Sequence, residues 1–367
     1  MTGIDALGFG GIFVASAALS LLLVPLALRL AVRGDALDRP GGYKQQAAPV
    51  PYLGGVAMLV AFSAAVIAAA VVRPPVAGFS ELVVILSAAV VLSLMGLLDD
   101  LRGLGVVVRL LVVTAAGTAV WFAGTQITLA GVPWIDGVLT VLWVVGITNA
   151  MNLLDNMDGL SAGVATIASA TFFVVAVLNG QFLVAALSLA LAGCALGFLR
   201  HNRYPARIYM GDAGSLFLGF MLAVIGIRLR LEAGPPIAVF VPVLVLAVPI
   251  LDTALVTITR LRAGRSPFAG GSDHTSHRLV RLGLPVPGAV AIVYAASIFS
   301  SWLAITMSRQ TDVVSAYLIL GFWATLMGFG GWLLVRTTPP TAVAKLADSS
   351  QVATSQHDAV SDSHEMH

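Results

Sequence analysis

Along this chain, polar residues interrupt long stretches of apolar ones, and most stretches are too long for a strand and lack strict alternation. A helix needs about 17 to 25 apolar residues to cross a hydrocarbon layer at its fixed rise per residue. Eleven runs of this kind stand out, at roughly 8–31, 53–72, 80–98, 105–123, 135–150, 159–178, 182–199, 213–229, 237–259, 287–307 and 313–335. The fifth is short. The pattern predicts an all-α, polytopic integral membrane protein of about eleven transmembrane helices.

Composition agrees with the pattern. With 58% hydrophobic and 10% charged residues in 367, the chain has more apolar surface than one soluble core can bury, so the bilayer has to act as its solvent. The first run has no basic residue before it and no convincing small-residue cleavage site, so it reads as a retained helix. Cys194 is the single cysteine and lies within an apolar run, which excludes a disulfide framework and cysteine-based metal motifs. Beyond residue 336 the apolar period ends. The chain therefore divides into a transmembrane domain at 1–336 and a polar tail at 337–367, expected to be disordered and solvated, with His357, His364 and His367 in it. No solenoid or inverted repeat is evident.

Charge sets the orientation. If the odd-to-even connections share one side, that side receives Arg33, Arg39, Lys44, Arg102, Arg200, Arg203, Arg207, Arg260, Arg262, Arg265, Arg278, Arg281, Arg336 and Lys345; the other receives Arg73, Arg228, Arg230 and Arg309. Fourteen against four makes the first side cytoplasmic, with the N-terminus outside and the C-terminus inside. Arg228 and Arg230 run against the rule. The same topology gathers Asp35, Asp38, Asp99, Asp100, Asp155, Asp158, Asp212 and Asp273 at cytoplasmic helix ends.

That gathering points to chemistry. Asp99 and Asp100 in "LMGLLDDLRGLG" end the third run, where a helix C-terminus already carries partial negative charge; a cation or proton must compensate them, with Arg102 as the simplest partner. In "NAMNLLDNMDGLSAG", Asn152, Asp155 and Asp158 are three apart and fall near one helical face, where their oxygens suit a hard divalent cation or a ribose and phosphate ligand. Asn149 and Asn156 lie off that spacing and read as local caps. "RHNRYPARIYMGDAGSLFLGF" joins Arg200, Arg203 and Arg207 to the start of a helix whose free N–H groups attract anions, with Asp212 placed to hold a metal that bridges phosphates. It lacks the Lys of a P-loop. "RAGRSPFAGGSDHTSHRLVRLG" sets His274 and His277 among Arg265, Arg278 and Arg281, which predicts a phosphate-facing loop or short interfacial helix rather than a zinc site.

In this order, "LLDD", "NLLDNMDGLSAG", "YMGDAGSLFLG", "PILDTALV" and "DHTSHRL" resemble the polyprenyl-phosphate N-acetylhexosamine-1-phosphate transferases, and most closely the bacterial undecaprenyl-phosphate N-acetylglucosamine-1-phosphate branch. The resemblance covers about residues 38 to 335. It implies transfer of N-acetylhexosamine-1-phosphate from a UDP-sugar to a polyprenyl phosphate, with release of UMP, at the cytoplasmic face of a bacterial inner membrane. It also implies magnesium, with manganese as a substitute, and no nucleic acid as partner.

By similarity, Asp99 and Asp100 are the essential acidic pair, and Asp212 with Asp155 holds the metal. Lys44, Asn152, Asp158, Asn202 and Tyr209 meet the nucleotide-sugar, Tyr209 by stacking. His274 acts with the acidic pair, and Arg207, His277 and Arg278 take phosphate. This chain has Gln46 where many members carry His, and Ser276 where the common motif has its second His. The latter departure argues against the phospho-MurNAc-pentapeptide transferase branch. A transporter is the alternative of another class, since such proteins also carry intramembrane acids; Asp252, just after a kink expected at Pro249, is the one acid here that lies deep in a run. Small residues such as "AAGTA" at 115–119 leave room for a homodimer.

Overall fold

The computed structural model describes residues 3–39, 48–74, 78–231, 234–267, 271–310 and 312–337, with the side chains of 3–6, 234–236 and 238 excepted. Lys44, Gln46 and all of the tail after residue 337 lie outside the described residues. The helices are α1 (Gly3–Arg33), α2 (Gly54–Val72), α3 (Phe79–Arg102), α4 (Val106–Phe122), α5 (Pro133–Leu154), α6 (Leu160–Leu178), α7 (Phe182–Asn202), α8 (Gly211–Arg228), α9 (Gly234–Val245), α10 (Ala247–Arg262), α11 (Thr275–Arg281), α12 (Val286–Ser308) and α13 (Val313–Thr337). Two two-residue strands, β1 (Leu37–Asp38) and β2 (Val50–Pro51), pair antiparallel.

Every apolar run returns as helix, but not every one as an unbroken helix of spanning length. Among the described residues, nine helices are long and apolar enough to cross a membrane: α1, α2, α3, α5, α6, α7, α8, α12 and α13. α4 is shorter, with 17 residues. The ninth run is not one kinked helix. It breaks at Leu246 into α9 and α10, bent by 75°. Pro249 lies in the first turn of α10, where a missing N–H costs no helical bond. The expected kink at Pro249 is thus replaced by a full break three residues earlier.

α8 is the buried axis of the bundle, with every residue from Ala213 to Ile227 covered by protein. In a bilayer the lipid is as apolar as the helices, so association depends on close packing of small residues. Gly55 of α2 lies against the backbone of Gly214, and a Cβ at Gly55 would overlap it. Between α1 and α7, Ser16 Oγ donates to the Ala190 carbonyl at 2.5 Å and Ser20 Oγ to that of Cys194 at 2.8 Å. Gly117, in the stretch that left room for a homodimer, packs instead against Val144 and Val141 of α5 in the same chain.

Arg228, one of the two residues against the charge rule, is paired within the fold. It forms an ion pair with Glu81 at the start of α3 and donates to Thr125 Oγ1 at 3.3 Å.

Candidate active site

The α3 C-terminus, α4 N-terminus, α5 C-terminus and α8 N-terminus meet at one end of the bundle. Asp100 caps α8 from across the interface: its Oδ1 accepts the Asp212 N–H at 3.1 Å. The positive end of the α8 dipole therefore offsets the carboxylate that would be unfavourable at the end of α3. It also means that one N–H of this helix terminus is already taken by a carboxyl oxygen. Gly211 makes the approach feasible. It has φ +65°, and a Cβ there would fall on the Asp100 carboxylate. Asp100 Oδ2 is buried and has no hydrogen-bond partner.

Asp212 is held on both oxygens. Oδ1 accepts from Asn152 Nδ2 at 2.7 Å, and Oδ2 faces Arg109 Nη1 at 3.3 Å. The same Nη1 lies 3.6 Å from Asp99 Oδ2, so Arg109 bridges the two acids. Asn152 Nδ2 also donates to Ser215 Oγ at 2.9 Å, and that hydroxyl donates to the Gly211 carbonyl at 3.2 Å. Thus the cation beside Asp99 is Arg109 and not Arg102. Arg109 falls inside the apolar run 105–123, so a count of charges between runs omits it; its place one turn into a helix that begins beside the acidic pair is the signal the sequence offers.

Asp155 ends α5. Protein atoms crowd it although part of its surface is open, and among the described residues no donor reaches its carboxylate. Burial, then the charges of Asp212 and Asp158, push its carboxyl up to about 8. Asp158 is raised by burial, partly opposed by the Ala206 N–H that its Oδ2 accepts at 2.8 Å. This contact sets the exposed Arg207 next to the Asp158 turn. Asn202 is buried, and its amide ties two loops together, accepting from the Gly159 N–H at 3.0 Å and donating to the Ile208 carbonyl at 3.0 Å. These bonds make it part of the scaffold. Tyr209 is partly open at the surface; its N–H donates to the Pro51 carbonyl at 2.7 Å, and its carbonyl accepts from Gly54 at 3.1 Å.

The family model for glycosyl transferase family 4 matches residues 82–230, the segment that carries Asp99, Asp100, Asn152, Asp155, Asp158 and Asp212. A probable undecaprenyl-phosphate N-acetylglucosaminyl 1-phosphate transferase of Bacillus subtilis is 31% identical over 316 residues, covering 84% of this chain and 87% of that protein. The chain belongs to the polyprenyl-phosphate N-acetylhexosamine-1-phosphate transferases. A decaprenyl-phosphate N-acetylglucosaminephosphotransferase of Mycolicibacterium smegmatis is 32% identical over 302 residues, covering 72% of this chain and 73% of that protein. A phospho-N-acetylmuramoyl-pentapeptide-transferase of Geobacillus kaustophilus is 33% identical, over 60% of this chain and 74% of its own length.

In this transferase the histidine segment folds as α11 and is anchored from three directions. Asp273 is paired with Arg260 at 3.1 Å and Arg265 at 3.3 Å, and these cations hold its carboxyl low against the opposing effect of burial. His274 Nδ1 lies 2.7 Å from Asp252 Oδ2. Ser276 Oγ donates to Asn156 Oδ1 at 2.6 Å, joining the segment to the residue after Asp155. Asn149 lies inside α5 and donates back to the Val145 carbonyl at 2.8 Å, so it caps no helix end, whereas Asn156 donates to the Leu153 carbonyl at the end of α5 and also receives Ser276. Arg278 Nε donates to the Asp273 carbonyl at 2.8 Å. His277 is held neutral by burial, aided by His274 and Arg281, which lower it to about 4.

Among the described residues no three carboxyl, imidazole or thiol groups converge on one point. A closed four-ligand site of the zinc type does not fit. Magnesium, which keeps several waters and takes one or two carboxylates plus substrate phosphates, does fit this donor set. The orphaned Asp100 Oδ2 and the Asp99–Asp212 pair around Arg109 show negative charge that one arginine leaves incompletely matched.

Proposed function

We propose that this membrane transferase moves N-acetylglucosamine-1-phosphate from UDP-N-acetylglucosamine to undecaprenyl phosphate at the cytoplasmic face of the bacterial inner membrane, releasing UMP. The observation that carries the reading is the meeting of Asp99 and Asp212 at Arg109, with Asn152 bonded to the Asp212 carboxylate and Asp100 to its N–H, at the end of the bundle that the charge rule makes cytoplasmic. The choice of sugar is supported by the two N-acetylglucosamine-named relatives, which match over more of this chain than the muramoyl-pentapeptide one does. Ser276 in the histidine motif points the same way.

A lipid phosphate oxygen attacks the β-phosphorus, and the bond from that phosphorus to the bridging oxygen of UMP breaks. A monoester has its second pKa near about 6, so the nucleophile is already largely ionised at neutral pH. The obstacle is repulsion between two polyanions. Magnesium held by Asp212 with Asp155 would neutralise phosphate charge when bound. Asp99 and Asp100 then orient the lipid phosphate or take its residual proton. Arg109, whose contacts with the two acids at 3.6 and 3.3 Å are long for charge-assisted bonds, turns to a phosphate oxygen when substrate binds. Arg207 lines the approach beside the Asp158 turn, with Tyr209 near it to stack on uracil. His274, His277 and Arg278 present α11 to the phosphates.

The test is UMP release by purified full-length protein supplied with undecaprenyl phosphate, magnesium and a series of UDP-sugars. The expected result is turnover with UDP-N-acetylglucosamine above the other donors. Absence of UMP with every UDP-N-acetylhexosamine sinks the reading, and preference for UDP-MurNAc-pentapeptide moves the chain to the other branch. An aspartyl phosphate trapped after incubation with UDP-sugar alone would overturn direct attack in favour of double displacement.

A further inference from the structure

The break between α9 and α10 delivers a carboxylate to the histidine segment. Asp252 lies early in α10 and is 4% exposed, yet both of its oxygens are used on consecutive residues of another segment. Oδ1 accepts the Thr275 N–H at 2.7 Å, and Oδ2 lies 2.7 Å from His274 Nδ1. Thr275 is the first residue of α11, so Asp252 caps that helix from outside while fixing the ring of its cap residue. The backbone N–H can only donate, so Oδ1 is an acceptor; an ionised Asp252 accepts from Nδ1–H as well, and Nε2 is the ring nitrogen left for a ligand.

We infer that Asp252 is a positioning residue that fixes the His274 ring, so that Nε2 is the nitrogen that meets a phosphate oxygen of the substrate. The inference rests on the reading that His274 meets phosphate. The bond between Nδ1 and the carboxylate orients the ring and so selects which nitrogen is presented to the phosphates. The charged and titratable groups are Asp252 from α10 and, on its own segment, Asp273, His277, Arg278 and Arg281; of the helices packed against α11, α12 carries Tyr294 and α13 carries Tyr317 and Arg336. Asp252 is the carboxylate within bonding distance. The bond from Ser276 to Asn156 keeps this pair in register with the loop that carries Asp155.

The experiment compares wild-type protein, Asp252→Asn, His274→Gln and the double variant, all full length in lipid nanodiscs. The Asp252→Asn change is nearly isosteric; the amide oxygen keeps the Thr275 bond and the NH2 turns to Nδ1, which moves the ring proton to Nε2 and removes the charge. Turnover of Asp252→Asn is expected to fall by on the order of 10- to 100-fold, more in kcat than in KM for the UDP-sugar. With 15N-labelled histidine, the His274 signals should change from the Nδ1-protonated to the Nε2-protonated pattern. The double variant should be no slower than His274→Gln. Unchanged kcat in a folded Asp252→Asn protein, or unchanged His274 signals, overturns the inference. If His274→Gln is slow and Asp252→Asn is not, the phosphate reading stands and the inference alone falls; if His274→Gln turns over normally, both fall. Thermal unfolding of each variant shows whether a loss is one of folding, and an unfolded Asp252→Asn is replaced by Asp252→Glu, for which partial recovery of the 15N pattern and of kcat is expected; failure of both to recover counts against the inference.

Discussion

The two ends of the helix bundle handle charge differently. At the end away from the site, three acids have close donors: Glu81 is paired with Arg228, Asp136 Oδ1 accepts from Leu129 N at 3.1 Å and Ala130 N at 2.8 Å, and Asp312 accepts from the N–H groups of Val314 and Ser315. At the site end, Asp99, Asp100, Asp155 and Asp212 crowd together, one arginine serves two of them, and Asp100 Oδ2 has no partner. Buried polar groups left unmatched cost stability. Local pairing is what a fold needs, and unmatched convergence is what a ligand needs. The contrast separates structural charge from functional charge in one molecule.

The sharpest way to break the contrast is to exchange single charges at the two ends. Asp212→Asn should lower kcat/KM by on the order of 1,000-fold with little change in thermal unfolding, because it removes charge where substrate charge is met. Glu81→Gln should do the reverse, lowering the unfolding temperature by a few degrees through the stranded Arg228 while turnover stays within a few-fold. Similar losses of activity from both would erase the distinction.

Next in size, Arg109→Met should lower turnover by on the order of 100-fold, since the arginine is the one described cation shared by Asp99 and Asp212. Wild-type kinetics would reduce it to a structural counter-charge. Gly211→Ala tests the geometry beneath the chemistry. A side chain at φ +65° that overlaps Asp100 should destabilise the protein by about 1–3 kcal/mol, read as a lower unfolding temperature, with activity lost in proportion to the displacement of Asp212.

The smallest expected effect is a pH dependence. His277 is lowered to about 4 from an ordinary value of 6.5 by burial and its cationic neighbours. The neutral ring is thus the form that the fold prefers. Its contribution to stability is complete above 6.5 and is lost as pH falls from there toward 4. Unfolding temperatures of wild type and His277→Gln at about pH 7 and about pH 5 should show the smaller acid loss in the variant; equal losses would show that the ring stays exposed to solvent.

Much of this was legible in the chain. Eleven apolar runs became helix because each is long enough that only internally bonded backbone survives in hydrocarbon. The acids of the site were visible as residues too costly to place in such a chain without a purpose. What escaped has a common form. Arg109 hid inside an apolar run, Asn156 seemed a local cap until Ser276 reached it, and Asn202 proved to join two loops. In each case the deciding partner lies in another segment, and spacing along one segment carries no information about it.

The sequence by itself determined the solvent, the secondary structure and the family, because hydrophobic length and ordered motifs are local properties. It also placed the acids at one face through the count of positive charges. Only the tertiary structure decided which acid caps which helix, where the ninth run breaks, and that Asp252 belongs to His274. Those outcomes depend on glycine-sized gaps around α8 and on a 75° turn between α9 and α10, which bring groups from separate helices within bonding distance. Electrostatic partnership falls off over a few ångströms of space, and the chain order does not encode that distance directly.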